Sequence, residues 1–341
     1  MRKEEPRLEE VRALVREVPG PDLEAREAAR ARQADLIKPG GGLGRLEELA
    51  IWLATWQAAR APRMERPRVA IFAANHGIAA RGISRFDSAL TEQMVKAIVA
   101  GGGAVNQLAA MVKADLRMYE MALDQPTADF TQGPAMSEED CARALAYGMM
   151  AVEPGFDVMA LGDLGVGNRT CAAALCHGLF GGEAAQWVGP GVEAEETLVA
   201  RRAAVVAEGV AANRANLEDP FDVLRAVGGL ELSAIVGAIL ACRLARIPVL
   251  LDGFVCSAAA AVLHAVDPQL LDHCLVAQRS SGWPHDRLLE KLGKRPLLDL
   301  DIALGEGTGS VLGIQLLQGA VACHNGMATR KKAGLTAAFG D

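Results

Sequence analysis

The chain has 341 residues, with 42 acidic against 35 basic side chains and a formal net charge of −7. That balance argues against nucleic acid as a main partner, because phosphate backbones are met by basic faces. Hydrophobic residues make up 51% but aromatics only 4%, so the core is expected to be Ala, Val, Leu, Ile and Met, which suits helices packed on a sheet.

No apolar run reaches the roughly 18–20 residues of a membrane span. The start, MRKEEPRLEE, lacks the apolar stretch of a signal peptide. The seven cysteines are scattered without a CxxC pair, so a zinc ribbon or disulfide frame is not indicated, and a reducing cytoplasm is the expected setting.

From the N-terminus, Leu8, Val11, Leu14 and Val15 fall at helical spacing. Pro19-Gly20-Pro21 breaks that segment, and Asp22 to Asp35 resumes as a polar helix. The glycine turn at 38–45 opens a further helix, Leu46 to Arg60, and a short linker, Pro62 to Pro67, precedes the α/β body at Arg68. The expected strands are Val69–Ala73, Asp157–Leu161, Ala185–Val188, Pro248–Leu251, His273–Ala277 and Leu297–Ile302. Helical tracts are expected at Thr91–Gln107, Thr170–Leu179, Leu198–Asn213, Leu230–Ala245 and Cys256–Ala265. Short apolar strands separated by helices read as repeated βα units and a mainly parallel sheet. The tail, Thr308–Ala338, reads as a helix and a loose end. This divides the chain into an N-terminal helical segment (1–67), an α/β catalytic domain (68–310) and a C-terminal helical segment (311–341), the two ends forming a small second domain.

The stretch LLDLDIALGEGTGS at 297–310 is the most informative. An apolar run empties into a glycine-rich turn carrying Glu306, the position at which open α/β sheets bind ligands. Glu306 has no apolar neighbour, so it is not a packing choice, and it reads as a catalytic base. Asp299, Asp301 and Glu306 could be a magnesium cluster, but the aspartates read better as loop-capping groups, and no metal is expected. Four other glycine-rich turns follow expected strands: Asn75-His76-Gly77, Leu161 to Asn168, Val188 to Gly191, and Leu251 to Phe254. The turn Gly165-Val166-Gly167-Asn168 leads into a helix whose N-terminus could bind phosphate; Asn168 or Thr170 equally reads as an N-cap. The pattern is neither GxGxxG nor a P-loop. Ser84 with His76 would suggest nucleophilic catalysis only with a third orienting group, so His76 reads as a hydrogen-bonded structural histidine. His285 could face a ligand or fix its loop. Met94 and the Met149-Met150 pair read as core.

Taken together, KPGGGLGRLEELA (38–50), ANHGIAARGIS (74–84), GGGAVNQLA (101–109), LGDLGVGNRT (161–170), LLDGFVCSAAA (250–260), RSSGWPH (279–285) and PLLDLDIALGEGTGS (296–310) resemble the nicotinate-nucleotide–dimethylbenzimidazole phosphoribosyltransferase family. The resemblance implies transfer of 5-phosphoribosyl from nicotinate mononucleotide to a benzimidazole, giving nicotinate and α-ribazole 5′-phosphate with inversion. It also implies a Rossmann-like doubly wound sheet, a small helical domain from both termini, a homodimer and no cofactor. Glu306 matches the family's catalytic glutamate. Ser84, Phe86, Gln93, Leu164 and Leu304 fall where the family lines its base pocket. Gly165, Gly167, Asn168, Gly189, Gly191 and Arg201 fall in the phosphoribosyl-binding turns.

This chain departs from the family where members usually read GEMGIGNTT. Asp163 replaces a glutamate, as a shorter second carboxylate, and Arg169 replaces a threonine. The Gly189-Pro190-Gly191-Val192 turn is shortened, and Arg201 stands for a lysine. Such changes leave open a relative with another acceptor, such as a phenol, another benzimidazole or a purine, or a catalytically weakened binding protein.

Overall fold

The computed structural model describes residues 6–190 and 195–335. Its centre is a five-stranded parallel sheet of β1 (Pro67–Ala73), β2 (Asp115–Glu120), β3 (Val158–Leu164), β4 (Val249–Asp252) and β5 (Cys274–Gln278). The order across the sheet is β2-β1-β3-β4-β5. Every pairing is parallel, so each connection must cross the sheet, and helices supply the crossovers.

Side chains alternate between two apolar layers, as a strand period of two requires. Val69 and Ile71 of β1, Ala160 of β3 and Leu250 of β4 face one layer. Phe72, Leu161, Leu251 and Val276 face the other. The first layer is closed by α3 (Arg45–Trp56), α4 (Ala89–Val99), α5 (Ala104–Met111) and α13 (Thr308–Gly326). The second holds α6 (Glu138–Met150), α7 (Asn168–Phe180), α8 (Glu196–Ala212), α9 (Pro220–Val227), α10 (Leu230–Leu244), α11 (Gly253–Val266) and α12 (Trp283–Leu292). Helices on both faces make the sheet doubly wound.

The remaining N-terminal helices part company. α1 (Leu8–Leu14) joins the second layer, pinned by Arg12 to Asp219 and Asp222 at 3.2 and 3.0 Å. α2 (Leu23–Asp35) packs with α3, and Arg32 donates to the carbonyls of His324 and Asn325 at 2.6 and 2.9 Å, at the end of α13. Leu36 also bridges Thr329.

Three expected elements differ. Ala185–Val188 is not a strand: residues Ala184–Gln186 form a 3-10 turn, and Trp187 is fully buried with its indole N–H on the Gly181 carbonyl. A four-residue apolar run does not by itself distinguish these outcomes. Leu297–Ile302 runs beside β5 for one bridge, Gln278 to Leu298, and then leaves, with Asp301 in a left-handed conformation (φ +53°). The helix expected over 91–107 is two helices broken at Gly101 to Gly103, although Ala89–Met111 is apolar enough by composition to span a membrane. β2 is absent from the expected strands, because DLRMYE is charged and half-exposed; such charges blunt an edge strand. It is held by Arg68, whose buried guanidinium pairs with Asp115 at 2.8 Å, and by Tyr119 stacked on Phe72. Met150 is 78% exposed, so it is not core.

With few aromatics, helices meet at backbone distance. A Cβ on Gly148 of α6 would lie 1.8 Å from the Ala234 carbonyl oxygen of α10, and one on Gly237 would lie 2.0 Å from that of Leu145. Helix propensity alone would make Gly→Ala stabilising by about 1 kcal/mol; a backbone clash reverses the sign. Gly148→Ala and Gly237→Ala are each expected to lower the urea midpoint, by a loss of about 1–3 kcal/mol. An increase in either midpoint would contradict the close packing.

Candidate active site

Because β1 is followed in the sheet by β2 on one side and β3 on the other, the chain reverses direction between β1 and β3. A crevice opens at such a switch point, outside the carboxyl ends of the strands. A cavity of about 380 Å³ lies there. Its walls come from the segment after β1 (Ile83, Ser84, Phe86, Leu90, Thr91, Met94), the turn after β3 (Asp163 to Thr170), Asp252 and Phe254 after β4, Ser280 after β5, and Ala303 to Glu306. A larger hollow of about 700 Å³ lies near Tyr147 and Pro126. Its arginines are already paired, Arg143 with Glu139 and Arg225 with Asp222.

Gly305, Glu306 and Gly307 have φ of +78°, +60° and +77°. Glu306 thus holds a conformation that costs a non-glycine residue about 1–2 kcal/mol. The turn lies against β3, where a Cβ on Gly162 would come 2.5 Å from the Gly307 nitrogen. Glu306 is buried to 5% exposure on the cavity wall. Burial first, and neighbouring Asp252 second, raise its pKa above the ordinary glutamate value.

Two further carboxylates are buried there. Asp163 accepts from the Asn168 amide at 2.8 Å and from the Cys256 thiol at 3.4 Å. Burial, helped by the charge of Asp252, pushes its pKa up to about 7. Asp252 is 1% exposed, and burial pushes it up to about 6, with the Gln278 amide and the α13 backbone amides pulling the other way. Neither of its oxygens meets full hydrogen-bond geometry.

Behind the β3 turn sits His76, its Nε2 3.0 Å from Glu231 at the start of α10, both side chains fully buried. Its Nδ1 lies 3.4 Å from the Cys171 sulfur. Burial alone would lower the pKa of His76; Cys171 and Glu231 outweigh it and hold it well above the usual value. Both ring nitrogens are engaged, so His76 does not serve Ser84 as a base. A Cβ on Gly165 would lie 3.3 Å from Nε2, so the imidazole supports the turn. Ser84 Oγ accepts from the Phe86 amide at 3.1 Å. His285 also fixes its loop: Nδ1 accepts from the Ser280 amide at 2.9 Å, and Nε2 meets Ser257 Oγ at 3.2 Å. Burial pushes its pKa down to about 4.

Of the residues singled out in the sequence, Glu306, Asp163, Ser84, Phe86, Leu164, Leu304, Gly165, Gly167 and Asn168 line this cavity. Gly189 lines a smaller side cavity that shares Arg169, Thr170, Arg202 and Phe254 with it. Gly191 lies outside the described residues. Two of the expected residues lie off this wall. Gln93 is exposed on α4 and absent from the wall, where Leu90, Thr91 and Met94 stand instead. Arg201 is exposed and donates to the Gly82 carbonyl at 3.0 Å, while Arg202 lines the cavity. Helical period supplies the reason and the missed signal. Met94 shares the face of buried Thr91, Val95 and Ile98, and Arg202 that of Leu198 and Val205. Asp252 is a further site residue that the sequence reading lacks, although Pro248 to Gly253 repeats the apolar-run, carboxylate, glycine order seen at Glu306.

The site therefore combines a buried carboxylate turn, apolar walls and two arginines beside a helix N-terminus, which suits a ligand with an anionic end and an apolar end. A family model described as "Phosphoribosyltransferase" matches residues 18–335, and the chain belongs to that family. A Rhizobium rhizogenes relative named nicotinate-nucleotide–dimethylbenzimidazole phosphoribosyltransferase is 49% identical over 96% of this chain and 97% of its own. A Brucella anthropi protein of the same name is 47% identical over the same shares. Two crystal structures from Thermus thermophilus, one described by that enzyme name and one as CobT, are 37% identical over 92% of this chain and cover 99% and 100% of their own, with TM-scores of 0.85 and 0.87.

The raised pKa of Asp163 sets a pH dependence of stability. Its folded value, about 7, lies above the ordinary 3.8. The fold thus favours the protonated acid, and that contribution is present below pH ~4 and lost as pH rises through the folded value. Asp163→Asn is expected to melt above wild type at pH 8, with the two melting temperatures converging toward pH 4. An equal gap at both pH values would assign the difference to packing instead.

Proposed function

We propose that this protein transfers the 5-phosphoribosyl group of nicotinate mononucleotide to a benzimidazole base, dimethylbenzimidazole first among them. The observation that carries the reading is Glu306, held by a strained turn on the wall of the cavity that the Gly165 to Asn168 turn also lines. Family membership and the names of its relatives support it.

In this reading a base nitrogen attacks the anomeric carbon from the face opposite the pyridinium. The glycosidic C–N bond breaks, and its electron pair leaves with the pyridine nitrogen. The donor ring is already cationic and departs without ring protonation, so the step calls for neither metal nor cofactor. As the new bond forms, the acceptor's other nitrogen becomes acidic, and Glu306 takes its proton. A base must be ionised to act, and burial makes Glu306 hold its proton to higher pH. Ser84, Phe86, Leu164 and Leu304 line the base end. Gly165, Gly167 and Asn168 serve the phosphoribosyl end, with Gly189 on the adjoining cavity, and Asp163 is a second carboxylate below the turn. The reading includes a cytoplasmic homodimer and a small helical unit drawn from both ends of the chain; the packing of α2 and α3 with α13 supports the unit.

The experiment is nicotinate release from nicotinate mononucleotide with dimethylbenzimidazole. Release that depends on the base is expected, falling about 100-fold or more in Glu306→Ala, the low end of general-base help. The acid limb of kcat/KM is expected above the ordinary glutamate range, and it should vanish in the variant's residual activity. A folded wild type that releases no nicotinate with benzimidazoles, purines or phenols would overturn the transferase reading.

A further inference from the structure

Arg169 is the departure from the family pattern that the mechanism above leaves unused. It is the second residue of α7, in that helix's first turn. It lines both the main cavity and the side cavity, at their junction. Among the described residues, its guanidinium makes no hydrogen bond and no ion pair. Arg202 shares the junction, positioned by its Nε on the Ile83 carbonyl at 2.7 Å and its Nη1 on that of Pro190 at 3.5 Å. No nearby acid pairs with Arg169 directly among the described residues: Asp163 is engaged by Asn168 and Cys256, and it and, more weakly, Asp252 act on Arg169 only through their fields. Two adjacent cations, with Arg169 unpartnered among the described residues, face a cavity also lined by Thr170, Gly189 and Ser281. An oxyanion matches that arrangement.

We infer that Arg169, beside Arg202, holds the 5′-phosphate of the donor nucleotide at the junction of the two cavities, a contact that a threonine at this position could not make as a charge. The inference rests on the phosphoribosyl-transfer reading, and it makes Arg169 a determinant of donor specificity. A guanidinium can grip a phosphate through two parallel N–H donors, so it fixes the orientation of the phosphate as well as its charge.

The test compares nicotinate mononucleotide with nicotinate riboside, which lacks the phosphate, in wild type, Arg169→Ala, Arg169→Lys and Arg169→Thr. KM for the nucleotide is expected to rise about 10–100-fold in Arg169→Ala, with partial recovery in Arg169→Lys and no change in kcat/KM for the riboside. An equal loss on both donors, an unchanged nucleotide KM, or an improved one in Arg169→Thr would overturn the inference. Calorimetric titration with nicotinate mononucleotide reads the same contact without turnover. If wild type binds the nucleotide at least about tenfold more tightly than Arg169→Ala yet releases no nicotinate, the transfer reading fails and the phosphate contact stands. If the two bind alike, the contact fails whatever the activity.

Discussion

The site depends on one backbone contact, the passage of the 305–307 turn over β3 at Gly162. No side chain fits between them. Three consecutive left-handed residues let the chain turn back within that space and start α13 at once. The same geometry places Glu306 on the cavity wall and lays the first turn of α13 over Asp252, where a Cβ on Gly309 would come 2.7 Å from the carboxylate. The burial of Glu306, and so its raised proton affinity, follows from a backbone arrangement and not from the glutamate itself.

Concentrating three buried acids at one sheet edge is costly unless something offsets it. Here three helices, α7, α11 and α13, begin at that edge, directly after β3, after β4 and after the 305–307 turn. Their N-termini carry partial positive charge toward the cavity. Arg169 and Arg202 add two full charges. The raised values at Asp163 and Asp252 show that burial still prevails. His76 and Glu231 carry the same logic one layer deeper: their charges lie against each other, tying the end of β1 to the start of α10 under the Gly165 turn.

How much of this is legible in the sequence varies with the kind of signal. Strands buried on both faces, such as PRVAIFA and VLLD, announce themselves as apolar runs, and the turns after them carry their glycines for steric reasons visible in the order of residues. The edge strand DLRMYE does not, because its pairing is decided by Arg68 and Phe72 elsewhere in the chain. Leu297–Ile302 looks like a strand because its apolar content is real, yet Asp301's left-handed backbone ends the pairing after one bridge. Within the site, most of the expected residues carried by turns line the cavity, whereas Gln93 and Arg201, on α4 and α8, lie one position from residues that do. A motif position does not carry the helix face, and the buried face here presents Met94 and Arg202 to the cavity, with Gln93 and Arg201 beside them at the surface.

The two ends of the cavity differ in how strictly they can choose a ligand. At the mouth, Phe86 and Leu304 remain 51% and 52% exposed while lining the same space. A planar aromatic base between them would remove apolar surface from water, a gain proportional to area and insensitive to the base's identity. Such walls separate ligands differing by one methyl group by only about 1–3 kcal/mol. At the other end, Arg169 keeps unsatisfied donors whenever the anion is missing, a heavier penalty than lost apolar contact. Under the proposed transfer, the donor is therefore read through its charge and the acceptor through its shape. Divergence among relatives that share this fold should then concentrate at the apolar mouth, where one substitution changes the preferred base without disturbing the carboxylate turn on which the chemistry rests.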